Sequence, residues 1–289
     1  MNSARITHNR KDINEADVKK FLQCQNTYTL HKQIRRKFRR NPVIVKGIDV
    51  QWQADLADVI ELSRENNGYH YLLTVIDCFS KYAWAIPVKR KDSANMVEAF
   101  TCLFHLSAPR KPKRLQTDKG KEFVNSPVQQ YLKQEGIEHF VTNNETKASL
   151  VERFNRTLKS RMFAYFTEMK TRKYIDILQN LVDSYNRSEH RSIGMKPCDV
   201  KIKDEPKIWH RLYGKVAERV VPDQKTKKLS PKKGSSVRIS KAKTSFDKGY
   251  LPNWTKELFK VTKVRGQYPK NLYKLKDYTD EDIQGSFYP

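Results

Sequence analysis

The sequence predicts an α/β fold in which helices cover a mixed five-stranded sheet, followed by a small β-barrel. Between residues 52 and 162, strand-like and helix-like segments follow the order β-β-β-α-β-α-β-α, which is typical of a mixed sheet with helices packed on it. After residue 232, four short segments of strand-like composition indicate the barrel. A chain of 289 residues is long enough for one mid-sized domain and a small one, or for three small units.

β-Branched and aromatic residues mark the strands of the predicted sheet. The five strands are expected at 52–62, 69–77, 82–88, 114–117 and 137–141. Asn67-Gly68 is a strong turn signal between the first two, so the first three strands should be successive and antiparallel. The fourth strand ends at Asp118.

Three amphipathic helices accompany these strands. The first opens at Ser93 and cannot continue through Pro109. The second opens at Ser126, an N-cap serine followed by proline at the first helical position and Gln at the third, and Gly136 closes it. The third covers 147–162, and its apolar stripe predicts one buried face. The stripe consists of Leu150, Val151, Phe154, Leu158 and Met162.

The other face of the third helix carries a carboxylate, two cations and an amide, in Glu152, Asn155, Arg156 and Lys159. Two structural explanations exist for Glu152. Ser149 precedes it by three residues, the spacing of a capping box, and Arg156 follows it by four, the spacing of a helical ion pair. A functional role for Glu152 would require partner carboxylates elsewhere in the chain.

The composition limits the classes of partner. The chain has 57 Lys and Arg against 32 Asp and Glu, a net charge of +25 and a pI near 9.8, which is expected of a protein that neutralises phosphates. A basic soluble protein without a nucleic-acid partner is the alternative. No membrane partner is expected, because Asp77 and Lys81 interrupt the most apolar run. The four cysteines lack paired spacing, which indicates reduced thiols and no zinc site.

The N-terminal region combines a helix with a cationic cluster. Asp12 and Glu15 have capping spacing at the start of a helix predicted over 12–23. The cluster that follows fits a DNA-contacting arm, a nuclear-import signal or a solvated linker, and the sequence does not separate these. Its arginines are Arg35, Arg36, Arg39 and Arg40. We expect four segments along the chain, namely this helix and arm at 1–42, the sheet domain at 43–200, a helical and Lys-rich linker at 201–231 and the barrel at 232–289.

Three carboxylates fall where the predicted fold would let them converge. Asp55 lies in the first strand, Asp118 ends the fourth, and Glu152 is on the third helix. Neighbouring strands lie about 4.8 Å apart, so these groups can meet. Convergent carboxylates repel unless hard divalent cations lie between them, and two such ions about 4 Å apart promote phosphodiester cleavage. Asp58 should point to the opposite face and Asp77 precedes a turn, so both are expected to be structural.

Five motifs carry a resemblance to a known family. They are WQADL around Asp55, LLTVIDCFSKYAWAIPV, LQTDKGKEF around Asp118, KASLVERFNRTLKSRM around Glu152, and YNRSEHRSIGMKP at 185–197. Together they make residues 43–200 resemble the catalytic core of retroviral-type integrases, most closely those of Polinton/Maverick transposons and cellular proteins derived from them. The resemblance implies a ribonuclease H-like fold whose D,D-E triad holds two Mg²⁺ or Mn²⁺ ions. It assigns the triad to Asp55, Asp118 and Glu152.

The resemblance also implies partners and a location. Double-stranded DNA, as element ends and target, is the expected ligand, with DNA contacts from Lys119, Asn155, Arg156 and Lys159 besides the basic arm. A homo-oligomer and a nuclear location are expected. The barrel resembles the SH3-like or chromodomain-like module of such integrases, and its aromatics either bind DNA or a chromatin peptide or form its core. The retroviral zinc module is absent from the sequence, and 33 residues separate Asp118 from Glu152, slightly fewer than in retroviruses.

Three functions remain open at this stage. The leading one is an integrase or transposase, in which water cuts the element's end and the exposed 3′ hydroxyl attacks target DNA. The second is a domesticated DNA-binding or chromatin protein that has kept the fold and lost integration. The third is a ribonuclease H-like nuclease that cuts but cannot join.

Overall fold

The computed structural model describes residues 14–34, 43–141, 148–214, 231–241, 251–266 and 270–289. The chain forms two compact units. The core unit is Pro42–Val221, and the terminal unit combines both ends of the chain, Met1–Asn41 with Pro222–Pro289. The predicted basic arm, including Arg35, Arg36, Arg39 and Arg40, lies outside the described residues, as do Asp12 and the loop before the third predicted helix.

The secondary structure follows the predicted order. The strands are β1 (Gln51–Asp58), β2 (Tyr71–Asp77), β3 (Ala83–Val88), β4 (Arg114–Thr117) and β5 (Glu138–Val141) in the core unit, and β6 (Ser236–Val237), β7 (Phe259–Arg265), β8 (Leu272–Lys276) and β9 (Asp282–Phe287) in the terminal unit. The helices are α1 (Glu15–Cys24), α2 (Asn26–His31), α3 (Ser93–Ser107), α4 (Lys121–Val124), α5 (Ser126–Gln134), α6 (Ser149–Met169), α7 (Leu178–Asn186) and α8 (Glu205–Trp209).

The core sheet is mixed, with strand order β3-β2-β1-β4-β5. The first three strands pair antiparallel, whereas β4 runs parallel to β1, and β5 parallel to β4. This arrangement confirms the predicted ribonuclease H-like α/β class. In the register, Gln53 of β1 lies opposite Gln116 of β4. Asp55 and Asp118 each follow these residues by two, so the sheet brings the two acids level with each other.

Helices cover both faces of the core sheet, and β1 contributes alternate residues to each. Trp52, Ala54 and Leu56 belong to the hydrophobic cluster beneath α3 and α5. Ala57 belongs to the opposite cluster, where the buried stripe of α6 packs with α7. Because side chains alternate along a strand, Asp55 faces the α6 side of the sheet and Asp58 the other.

Several predicted element ends shift by a few residues. β1 stops at Asp58 and not at residue 62, and a 3₁₀ helix, Ile60–Glu65, precedes the turn. That turn contains Asn67 and Gly68 at φ 54° and 72°, the left-handed values that this pair favours. α5 begins one residue early, because Asn125 accepts the hydrogen bond from the Val128 amide and is the N-cap in place of Ser126.

The terminal unit contains a four-stranded antiparallel sheet of order β6-β7-β8-β9, which fits the predicted small barrel-like domain. Phe259 and Tyr273 are buried in its core, so packing accounts for these two aromatics. α1 starts at an Asn14–Asp17 capping box, and the predicted capping residue Asp12 lies outside the described residues.

The two ends of the chain contact each other directly within the terminal unit. The carbonyls at the end of α2 accept hydrogen bonds from the C-terminal segment: Asn253 N donates to Leu30 O at 2.9 Å, and Trp254 Nε1 to Lys32 O at 2.7 Å. The guanidinium of Arg238 adds a bond to Asn26 Oδ1. These donors supply partners for main-chain oxygens that a helix end otherwise leaves without them.

Within the described ranges, no helix has the length and apolarity needed to cross a membrane.

One buried ionic cluster fixes the turn between β2 and β3. Asp77 is fully buried, and Arg110 Nη2 donates to its carboxylate at 3.0 Å and to Asp49 at 2.7 Å. The guanidinium also stacks over the rings of Tyr82 and Trp84. Burial raises the pKa of Asp77, although Ser80 and Arg110 oppose the shift. Asp77 therefore has the structural role that its position predicted.

We expect Arg110→Leu to destabilise the core unit by roughly 3–5 kcal/mol, since it leaves a buried carboxylate without its cation. Chemical denaturation would measure the change. Arg90→Leu is the matched control, because Arg90 contacts only the exposed Asp92 among the described residues, and it should barely move the unfolding midpoint. Equal effects of the two substitutions would contradict the buried-pair interpretation.

Candidate active site

Three buried glutamines connect the elements that carry the predicted triad. Gln51 and Gln53 of β1 both donate through Nε2 to Gln116 Oε1 of β4, at 2.8 and 3.1 Å. Gln53 Oε1 accepts from the main-chain amides of Leu150 and Val151, at 3.1 and 3.3 Å. This glutamine cluster therefore ties β1 to β4 and to the first turn of α6.

The N-terminus of α6 is capped by a residue that is distant in sequence, and the predicted Ser149–Glu152 capping box does not form. Ala148 is the N-cap residue and gives no side-chain cap. Gln53 Oε1 takes the position of the capping oxygen, because it accepts from the second and third amides of the helix. The predicted Glu152–Arg156 ion pair is also absent among the described residues, where both side chains are exposed. Neither structural explanation for Glu152 is realised there.

Asp55 is held on two sides. Its Oδ1 accepts from the Leu56 amide at 2.9 Å, and its Oδ2 accepts from Asn155 Nδ2 at 2.8 Å. Burial raises the pKa of Asp55 above its ordinary value, and the negative charges of Asp118, Glu152 and Glu122 raise it further. Asp118 and Glu152 therefore both lie within electrostatic reach of Asp55.

Asp118 closes a tight turn after β4. Its Oδ1 accepts from the Gly120 amide at 2.9 Å. The Glu122 carboxylate folds over this glycine, and a Cβ there would lie 2.7 Å from Glu122 Oε2. A side chain at position 120 would therefore move the Glu122 carboxylate from this position.

Glu122 is a fourth acid that the sequence analysis did not single out. Its negative charge contributes to the raised pKa of Asp55, and Lys91 Nζ lies 3.7 Å from its Oε1. The available clue was its place in the LQTDKGKEF motif, four residues after Asp118. The glutamine cluster had a clearer clue, because Gln53 and Gln116 each precede an acid by two positions and therefore share its face.

The predicted DNA-contacting residues of the core have different environments. Lys119 and Arg156 are exposed. Lys159 Nζ donates to Asp58 O at 2.8 Å, which holds this side chain at the end of β1. Asn155 is bound to Asp55, so its amide nitrogen positions an acid. Asp58 caps the adjacent turn by accepting from the Ile60 amide, consistent with a structural role.

The donor atoms of this site suit a hard divalent cation. Asp55, Asp118 and Glu152 offer carboxylate oxygens, the ligand type that Mg²⁺ and Mn²⁺ prefer. The buried Asn155 Oδ1 has no hydrogen-bond partner and adds an amide oxygen beside them. Across the described parts of the chain, no three His, Cys, Asp or Glu side chains are close enough to hold a metal ion. In the described structure, Asp118 and Glu152 are thus within electrostatic reach of Asp55, but the three acids are not close enough together to form a ligand set.

We expect Asp55→Asn to increase the free energy of unfolding by roughly 0.5–2 kcal/mol at pH 7 in metal-free buffer. A higher melting temperature would report the change. The raised pKa means that ionised Asp55 opposes folding, and the opposition grows as pH rises above the unfolded value of 3.8. The gain should therefore shrink in acid. Asp58→Asn is the exposed control, and a lower melting temperature for Asp55→Asn would contradict the inferred repulsion.

We expect Gln53→Met to destabilise the core unit by roughly 1–3 kcal/mol, because buried partners lose their hydrogen bonds. Urea unfolding would measure this, with Gln130→Met on the exposed face of α5 as control. If both variants unfold at the parental midpoint, the glutamine cluster does not connect the three elements energetically.

Known sequences agree with this architecture. Residues 49–146 match the integrase core domain family. A transposon-derived protein of Caenorhabditis elegans is 34% identical over 196 residues, which cover 68% of this chain and 64% of that protein. The retrovirus-related Pol polyprotein from transposon TNT 1-94 of Nicotiana tabacum is 28% identical over 172 residues, 57% of this chain and 13% of the polyprotein. The chain thus spans less than two thirds of the length of these two relatives.

A solved structure shares the fold. A chain in the intasome of simian T-cell lymphotropic virus, solved in complex with the PP2A regulatory subunit B56 gamma, has a TM-score of 0.62 and 15% identity. The match covers 99% of this chain and 91% of the viral one. Residues 49–146 are therefore similar to the integrase core domain family, the chain is similar to transposon-derived and retrovirus-related proteins, and it shares the fold of the viral chain.

Proposed function

We propose that this protein is a polynucleotidyl transferase of the integrase and transposase class. It binds double-stranded DNA, cleaves the 3′ ends of an element and joins them to target DNA. The observation that carries this proposal is the position of Glu152. The negative charge of Glu152 contributes to the raised pKa of Asp55. Among the described residues, Glu152 forms neither the capping box nor the ion pair that would give it a structural role.

The acids hold two Mg²⁺ or Mn²⁺ ions in this proposal. Asp55, Asp118 and Glu152 are the ligands, and the Asn155 amide fixes the Asp55 carboxylate in place. A pair of such ions, when bound, activates the attacking oxygen and stabilises the leaving one. Their positive charge would also remove the repulsion that raises the pKa of Asp55.

The protein's own contribution is rigid placement of these ligands. The glutamine cluster sets the distance between β1, β4 and α6. The exposed Lys119 and Arg156, with Lys159, are proposed to contact the phosphates on either side of the cleaved bond. The chemistry needs no covalent enzyme intermediate, because water attacks first and the freed 3′ hydroxyl attacks second.

The remaining partners follow from the same function. Joining two element ends to one target suits a homo-oligomer, and the viral chain that shares the fold was solved within an intasome. We propose a nuclear location, and a DNA or chromatin contact for the terminal unit. The basic arm, which contains Arg35, Arg36, Arg39 and Arg40, is proposed to contribute to DNA binding.

We expect Asp118→Asn and Glu152→Gln to abolish cleavage and joining while DNA binding remains. Loss of a carboxylate charge removes a metal ligand, whereas phosphate contacts come from the cations. A supercoiled plasmid and a short fluorescent duplex with a recessed 3′ end, supplied with Mn²⁺, would report nicking and joining. Binding would be followed by fluorescence anisotropy.

Glu168→Gln, on the exposed end of the same helix, is the matched control and should retain parental activity. Joining by Glu152→Gln at the parental rate would refute the proposed triad. A parental chain that binds DNA but never cuts it would support the domesticated alternative, and cutting without joining would support a nuclease.

A further inference from the structure

A histidine behind Asp118 has no part in the function proposed above. His139 lies half-buried in β5, beside the strand that ends at Thr117. Both of its ring nitrogens have partners: Nε2 is 2.9 Å from Thr117 Oγ1, and Nδ1 is 2.6 Å from Gln129 Nε2. Thr117 Oγ1 is in turn 2.7 Å from the main-chain oxygen of Asp118. A continuous series of hydrogen bonds therefore runs from α5 through β5 to Asp118.

The chemistry of the end groups fixes the direction of every bond in this series. Gln129 Nε2 also donates to Phe123 O at 2.7 Å, so the amide nitrogen, and not its oxygen, faces His139. Nδ1 of His139 must then accept. At the other end, the Asp118 carbonyl can only accept, so the Thr117 hydroxyl directs its one hydrogen there. Thr117 Oγ1 must therefore accept from Nε2.

His139 is consequently neutral, with its proton on Nε2. A second ring proton on Nδ1 would face the donor nitrogen of Gln129 and break the series. Burial lowers the pKa of this imidazole, which favours the same neutral form. Thr117 is fully buried, so solvent cannot replace either of its partners.

We propose that His139 is a positioning residue for Asp118: through the Thr117 hydroxyl it fixes the backbone from which the Asp118 carboxylate projects. The Gly120 amide holds the carboxylate itself, at 2.9 Å, so the main chain and the side chain of Asp118 have separate anchors. This inference rests on the proposed function, in which Asp118 is a metal ligand. Residues that orient a ligand from behind typically change metal affinity by 10–100-fold when removed.

The test is Mn²⁺ binding by the full-length chain, followed by electron paramagnetic resonance without DNA. His139→Ala and Thr117→Val, which keeps the shape of the side chain, should each weaken binding by about 10-fold. The double variant should be no weaker than Thr117→Val alone, because both changes interrupt one series of bonds. His105→Ala, an exposed histidine of α3, is the control and should bind as the parent does.

The proton assignment offers a second measurement that needs no metal. Nitrogen-15 NMR of the imidazole at pH 7 should show a neutral ring protonated at Nε2. A ring protonated at Nδ1 would overturn the inference.

The outcomes separate this inference from the proposed function. If Asp118→Asn weakens Mn²⁺ binding but His139→Ala and Thr117→Val do not, the inference fails and the proposed function stands. Additive losses in the double variant would also overturn it. If Asp118→Asn itself binds Mn²⁺ normally, the proposed function fails, and the inference with it. Should His139→Ala not fold, Thr117→Val alone decides between these outcomes.

Discussion

The candidate site depends on the buried side chain of Gln53. Its amide reaches β4 through Gln116 and the first turn of α6 through Leu150 and Val151. Each acid of the proposed triad lies one or two residues from a residue that these bonds fix. A shift of β1, β4 or α6 would therefore strain the hydrogen bonds to the other two elements. Such bonds let a sheet and a helix hold carboxylates that are distant in sequence within the narrow range of positions that a functional site needs.

The same rigidity maintains an arrangement that opposes folding. Asp118, Glu152 and Glu122 all add to the burial that raises the pKa of Asp55. The backbone hydrogen bond from Leu56 offsets part of this pKa shift but does not remove it. Stability that is given up at one point of a fold, and supplied by the packing around it, is a common property of functional sites.

Much of the architecture could be predicted from periodicity, and the errors arose where adjacent residues compete for one role or where a partner is distant in sequence. The order of the elements along the chain and the stripe of α6 follow from spacing alone, and the alternation along β1 separated Asp55 from Asp58. The N-cap of α5 was displaced by one residue, since Asn125 and Ser126 are adjacent and both are good caps. The cap of α6 comes from a residue 97 positions away, so no local pattern could indicate it. Glu122 could be placed near the site only from the structure, which shows its carboxylate against Gly120.

The terminal unit is assembled from both ends of the chain, with Leu30 and Lys32 bonded to Asn253 and Trp254. In topological terms the core unit is an insertion into the terminal unit, joined to it by two covalent connections. A protease that cuts one connection would leave two fragments that the hydrogen bonds within the terminal unit still join. The two halves of the terminal unit must accordingly be inherited, expressed or transplanted as a pair, although more than two hundred positions separate them along the chain.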